Sequence, residues 1–425
     1  MIGDVIKSDD ERKNLVSYLE AETLKAENER AVHAEKWNIW RRQRQAKPEQ
    51  EHKSYPWAGS SNINVPLTAT ITNMMFADMK AAFGQRKPFY DVQVRPEELQ
   101  RAAAALEEYL DVIVESPQHV NMRSANNSIF YDLVLFGTQF VEIPWISEQH
   151  MYKRRDETGA VVQVSRLVRN SPVVVPIRIE DFYGRIYFHD IQTAPWIGIC
   201  YRFAKHQMDQ YAARGFFENV DDVEQVSYVS DDRALEASDR LLENRELELY
   251  EVMKYHVFHD VDDDGFPEDI ILWVDKNSGT VLREEFNDLG IRPIVRVPYI
   301  DLPYNLYGLG IGSMCEYLQD AADATMNMTI DGIHISLLQM FVYRRGSGID
   351  SDEQFYPFKG IGLDNPKEDF IPVKFPDIGP SSLHALSIIR ELAERLTGAN
   401  SPALGQPDVY AKTRATASGT MFLAQ

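Results

Sequence analysis

The chain has little cysteine, a deficit of basic residues and no long apolar run, and each shortage closes a class of function. Cys200 and Cys315 are its two cysteines. They stand far apart and outside any metal-ligand spacing, so neither a disulfide framework nor a cysteine-rich zinc centre is available. No segment approaches the roughly 18 consecutive apolar residues that span a bilayer. The opening MIGDVIKSDDERKN has no apolar stretch of the secretory kind, and synthesis in a reducing cytoplasm is expected. Lys and Arg number 44 against 65 Asp and Glu, a net charge of −21. A protein that grips nucleic acid over a broad surface needs the opposite balance, because it binds by releasing counterions through clustered cations. Enzyme signatures are missing too: there is no HExxH, no glycine loop ending in GK[ST] and no GxSxG. GLGIG at 308–312 lacks the βαβ context of a dinucleotide loop. Catalysis is not expected.

What the chain does have is length and apolar content. Its 425 residues exceed one ordinary core, so two or more packed regions are expected. Hydrophobic residues at 44% and aromatics at 11% offset chain entropy as disordered sequences cannot. Residues 9–46 read as one very polar helix whose thin stripe of Leu15, Leu19, Leu24, Val32, Trp37 and Trp40 needs a partner surface. The loop SYPWAGSSNINVP at 54–66 separates it from a helix opened by Pro66 and stopped at Gly84. A short strand at 89–94 precedes helices over 96–115 and 119–136, the second ended by Gly137.

The apolar period then shortens towards two. VEIPW, VVQVSRLV and VVVPIRI read as strands of one antiparallel sheet, with KRRDETGA as a hairpin connection. Residues 205–215 return to helix, 218–248 form an acidic stretch of solvated helix or mobile chain, and 249–300 read as a meander with turns DVDDDGFPE and DKNSGT. A long helix over 313–340 brings Met314, Leu318, Ala321, Thr325, Met328, Ile335 and Leu338 near one side, with Gly332 a weak point. Loop and strand at 343–380 and a helix at 381–397 follow. TRATASGTMFLAQ then opens another helix, and the natural chain is expected to continue. Helices first and sheets second make this an α+β fold.

Asp260, Asp262, Asp264 and Gly265 match the first half of a calcium loop. The twelfth position is Ile271 where a bidentate Glu is required, and both flanks read as strands. A hairpin turn with solvated carboxylates is the favoured reading; a weak calcium site on those three Asp is the alternative, and no other cofactor is expected. With His256 and His259 close by, the same turn frames a rival of another class, a metal-dependent enzyme. Glu284 with Glu285 and Asp221 with Asp222 are adjacent carboxylates that read as surface, since neighbours on a strand face opposite ways.

Several segments, in their order, resemble portal proteins of tailed bacteriophages: Trp57 to Asn62 (WAGSSN) before Val65-Pro66, Asp132 to Trp145 (DLVLFGTQFVEIPW) and Asp190 to Trp196 (DIQTAPW). Further on come the Asp260 to Asp269 hairpin, Tyr307 to Gly310 (YGLG) and Thr413 to Gly419 (TRATASG). The resemblance implies a homo-oligomeric, dodecameric ring at the portal vertex of a virion, made in the host cytoplasm, through which double-stranded DNA is packaged and ejected. Residues 1–305 resemble the wing, 306–341 a stem helix, 342–380 the clip, 381–397 the returning stem helix, and 398–425 the tunnel loop with the start of a tunnel helix; the crown is absent or truncated. Implied partners are the major capsid protein, the terminase large subunit and a tail adaptor, with no membrane. Another phage neck or adaptor protein is the alternative within the same class. Long helices that one subunit cannot bury are covered by their copies around a ring, and the helix at 9–46 is expected to share that solution. On the ring model Arg344, Arg345, Lys359, Lys412 and Arg414 touch phosphates without reading sequence. The competing readings are ordinary solvated surface, intersubunit ion pairs and, for Arg344 and Arg345, capping of the preceding helix.

Overall fold

Asp9–Arg44 form helix α1, acidic in its first turn and basic in its last, as the helix dipole favours. A computed structural model describes residues 5–6, 8–48, 57, 59–85, 92, 100–116, 119–155, 161–224, 226–228, 247–262, 264–337, 340–343, 370–373 and 381–399. Leu15, Leu19, Trp37 and Trp40 of the expected stripe are buried, while Leu24 and Val32 are exposed and Val16, Thr23 and Ala26 take their place. The helix needs no second copy to cover this face. Thr23 shares a 2.9 Å hydrogen bond with the Tyr255 hydroxyl, Arg12 pairs with Glu284, and Trp37 meets Phe136 and Tyr307 edge-on.

The chain divides into two units, Met1–Ile39 with Met75–Ser313 and Trp40–Met74 with Met314–Gln425. Helices α2 (Leu67–Gln85), α3 (Gln100–Glu115) and α4 (Met122–Phe136) precede the strands; the strand expected at 89–94 lies outside the described residues, save Val92. Among its described residues the first unit then holds three sheets where one sheet and a meander were expected. Strand β1 (Thr138–Glu142), buried along its whole length, is the centre of a three-stranded sheet between β11 (Ile294–Pro298) and β4 (Val175–Ile177). Among the described residues, β2 (Trp145–Arg155) and β3 (Val161–Pro172) pair only with each other. Proline explains the division: Pro144 and Pro172 bracket the β2–β3 ribbon, and a residue without an N–H cannot carry a ladder onward.

The third sheet has six strands. β5 (Phe182–Tyr183), β6 (Trp196–Ala204), β8 (Leu247–His259), β9 (Glu268–Asp275) and β10 (Val281–Phe286) run in the order β10-β9-β8-β6-β5, with β7 (Val226–Tyr228) also on β8. The meander is real from β8 to β10, but β11 leaves it for β1. The described ends of the acidic stretch hold a short 3-10 turn at Val220–Asp222 and β7, not a continued helix. Helix α5 (Lys205–Ala213) packs on this sheet through Met208, Phe217 and Trp273.

Two of the family-like segments meet at a crossing that only glycine allows, and a third is held by one buried arginine. Gly137 ends α4 at φ 85°, a left-handed conformation that favours glycine, and a Cβ there would overlap Gly310 N. A Cβ on Gly308 would stand 2.6 Å from Ile300 O and 2.7 Å from Gly137 O. DIQTAPW is held by Arg292, which is 2% exposed: its guanidinium donates to Ile191 O at 3.0 Å and Ala194 O at 2.7 Å, while Gln192 bonds both ways with the Arg292 backbone at 2.9 Å.

The second unit holds α6 (Ile311–Leu337), a hairpin of β12 (Met340–Tyr343) and β13 (Phe370–Val373), and α7 (Ser381–Thr397). No helix among the described residues is long and apolar enough to cross a membrane.

Candidate functional site

The second unit is organised by a ladder of polar side chains on α6. Gln319, Asp323, Asn327 and Asp331 recur every four residues and so follow one side of the helix. Residues 61–65 run extended beside them. Asp331 accepts the N–H of Ser61 at 2.7 Å, Asn327 that of Ile63 at 2.7 Å, Asp323 that of Val65 at 2.6 Å, and Gln319 that of Thr68 at 2.9 Å. The amides return bonds: Asn327 Nδ2 donates to Ile63 O at 3.0 Å and Gln319 Nε2 to Val65 O at 2.5 Å. Asn64 donates its own amide to the second oxygen of Asp323 at 2.8 Å.

The register follows from geometry. Two extended residues advance about 6.6 Å and four helical residues about 6 Å, so alternate N–H groups of the strap meet successive turns of the helix. Gln319, Asn327 and Asp331 are buried. Burial raises the Asp323 carboxyl above its ordinary value, opposed by the Val65 N–H and the Gln319 amide. The strap begins after Gly59, at φ 88°, and ends where Pro66 opens α2. This is the WAGSSN and Val65-Pro66 segment, and what it does is lie on α6.

The ladder sets the orientation of the long helix. Its polar side is the buried one. Tyr317 and Met328 are 77% and 73% exposed, and Ala321, which with Met328 belongs to the apolar stripe, is exposed as well. At the near end Trp40 donates to Glu316 at 2.8 Å and Gln43 to Asp320 at 3.2 Å.

The Asp-rich turn forms a different constellation from the one expected. Ligand atoms of Asp260, Asp262 and Glu268 lie within 4.8 Å of one another; Asp264 is not among them. Asp260 accepts the N–H groups of Asp264 at 3.2 Å and Gly265 at 2.8 Å, Asp264 that of Phe266 at 2.8 Å, and Glu268 that of Val261 at 3.0 Å. These bonds shape the β8–β9 hairpin. The two histidines stand apart: His259 bonds Glu11 of α1 at 2.9 Å, and His256 is fully buried in β8 with neither ring nitrogen partnered among the described residues. Arg344, Arg345, Lys359, Lys412 and Arg414 lie outside the described residues.

Sequence reasoning missed Gln319, Asp323, Asn327 and Asp331. Their signal was a four-residue repeat of amide and carboxylate side chains along one side of the helix.

Among known families, the model described as phage SU10 portal protein matches residues 148–425. A search of curated proteins returns no match. Among solved structures, a chain from the neck of an empty GTA particle, computed with C6 symmetry, aligns at 11% identity and a TM-score of 0.35, covering 84% of this chain and 71% of its own.

Proposed function

Because this chain belongs to the phage SU10 portal protein family, we propose that it is a portal-vertex subunit, a non-catalytic component of a ring that passes double-stranded DNA into and out of the capsid. The family match over residues 148–425 carries the reading. In it, residues 1–305 serve as wing, the helices over 306–341 and 381–397 as stem, 342–380 as clip, and 398–425 as tunnel loop and the start of a tunnel helix. The partners are further copies of the chain in a ring of twelve, the major capsid protein, the terminase large subunit and a tail adaptor.

Two features favour a ring over a solitary subunit. Ile388, Leu392 and Leu396 follow one side of α7 at four-residue spacing and are 42%, 48% and 51% exposed; Tyr317 and Met328, eleven positions or about three turns apart on α6, are more exposed still. Apolar surface of this extent on helices is buried by association. The strap supplies the other: it saturates the polar side of α6 and leaves the apolar side outward. The acidic balance suits a channel wall along which DNA slides without being held, with Arg344, Arg345, Lys359, Lys412 and Arg414 as sparse phosphate contacts.

Electron microscopy of the purified full-length protein tests this. End-on views should show a closed ring near twelve copies with an axial hole. A monomer that persists at high concentration, and is absent from the capsid vertex, refutes it.

A further inference from the structure

Two turns leave the same end of the six-stranded sheet, one joining β8 to β9 and the other leading from β10 to β11, and both expose large apolar side chains among carboxylates. Phe266, 76% exposed, tops the first beside Asp262 and Asp264. Leu289 and Ile291, 64% and 65% exposed, top the second beside Asp288. The turns form one surface: Asn287 donates its backbone N–H to Asp269 O at 3.0 Å and its amide to Asp269 Oδ2 at 2.7 Å. Arg292, the cation of this end, is buried against Asp269 Oδ1 at 3.0 Å. The exposed charges described in these turns are therefore all carboxylates.

The β2–β3 ribbon is the converse. A two-stranded ribbon is marginal on its own, and this one exposes Trp145, Val164, Leu167 and Val168. Its strands carry Lys153, Arg154, Arg155, Arg166 and Arg169 against the single carboxylate of Glu148, in a chain of net charge −21. Lys153 and Arg155 are exposed and, two residues apart on a strand, share a face.

We infer that the β2–β3 ribbon of one copy docks on the acidic, apolar sheet end of the next. The inference rests on the ring reading above and names the surfaces that would close it. Unlike surfaces meeting head to tail leave each copy with one of each, and the rotation closes into a ring. Charge selects the pairing, since ribbon on ribbon or turn on turn would set like charges together. Phe266, Leu289 and Ile291 supply apolar contact at the centre, within a charged rim.

Charge exchange tests it by the native mass of the full chain. Lys153→Glu with Arg155→Glu, and separately Asp262→Lys with Asp288→Lys, should each keep the wild-type melting temperature, because all four side chains are exposed, and each should lose the ring. Carrying all four substitutions in one chain, or mixing the two double variants in equal amounts, should restore it. Double variants that assemble as the wild type does, or a fourfold variant that stays dissociated, overturn this inference and leave the portal reading intact. A wild-type chain that forms no ring refutes the portal reading itself, and this inference with it.

Discussion

Asp323 accepts the backbone N–H of Val65 at 2.6 Å, across a sequence separation of 258 positions. The same carboxylate receives Gln319 Nε2 at 2.9 Å and Asn64 Nδ2 at 2.8 Å, so it is the rung on which the strap converges. Asp323→Ala leaves the Val65 N–H without a partner and should destabilise the second unit by about 1–3 kcal/mol. Asp323→Asn keeps one acceptor for Val65 but presents a donor to Asn64, and should fall between. Amide hydrogen exchange is the check: Ser61, Ile63 and Val65 should lose protection in Asp323→Ala, while β8 stays as it was.

Gly137 and Gly310 predict a different pattern. Gly137 has φ 85° and no room for a Cβ, whereas Gly290 has φ 66° with nothing within 4 Å. Gly290→Ala should cost about 1–2 kcal/mol, the penalty of a left-handed L-residue alone. Gly137→Ala adds displaced backbone at the Gly308–Gly310 crossing and should exceed it clearly, with Gly310→Ala similarly damaging. Chemical denaturation of the three variants ranks them, and equal losses would show that the crossing yields easily.

How far these features could be read beforehand depended on their range. The 54–66 segment announces an extended loop because Pro, Gly and Ser break periodicity locally, and α4, β8, β9 and β10 announce themselves by period. The ladder does not. Its partners lie 251 to 270 positions apart, and a polar residue that bonds a distant main chain looks, in sequence, like one that faces water. The apolar stripe that includes Met328 is ambiguous for the mirror-image reason: apolar spacing tells that a face will be covered, not by which chain. The splitting of the strands into three sheets was equally hidden, since strand period carries no information about partners. The Asp-rich turn was legible as a hairpin, but Glu268 joined Asp260 and Asp262 only through the return of β9.

Lys254 and Glu142 form a buried ion pair at 2.6 Å, with the Tyr201 hydroxyl donating to the other oxygen of Glu142 and Trp273 under the ammonium at 5.2 Å. Burial and the neighbouring carboxylate drive the Tyr201 hydroxyl well above its ordinary value, so it remains a donor. Lys254→Met strands the Glu142 charge and should cost about 3–5 kcal/mol. Replacing the group together, as Lys254→Met, Glu142→Leu and Tyr201→Phe, removes every stranded polar atom and should recover most of that loss. A triple variant no better than Lys254→Met would mean that the pair is net stabilising.

The Asp260 turn gives a test by ligand removal. Its carboxylate holds the Asp264 and Gly265 N–H groups, so the turn is shaped by bonds internal to the chain. Asp260→Ala should lower stability by about 1 kcal/mol, as loss of a capping acceptor does. If the bonds alone hold the turn, a chelator leaves the melting temperature of the wild type unchanged; a fall on chelation, reversed by calcium and absent in Asp262→Asn, would establish the alternative metal site.

His256 should set an acid limit on the first unit. It is fully buried, without a partner among the described residues for either ring nitrogen. Burial first, then the charges of Lys254 and Arg292, hold its imidazole well below the ordinary value. A base whose folded pKa is depressed stabilises the fold while neutral. That contribution is complete above the unfolded value of about 6.5 and is lost as pH falls from there towards the folded value, at up to about 1.4 kcal/mol per pH unit. The replacement His256→Leu removes the titration and the unpartnered nitrogens together, so its stability should fall less steeply than the wild type's between about pH 6.5 and 5. Denaturant midpoints of the two proteins across that window decide it: parallel curves would show that the ring finds hydrogen-bond partners when it is charged, and that the buried cations beside it move away.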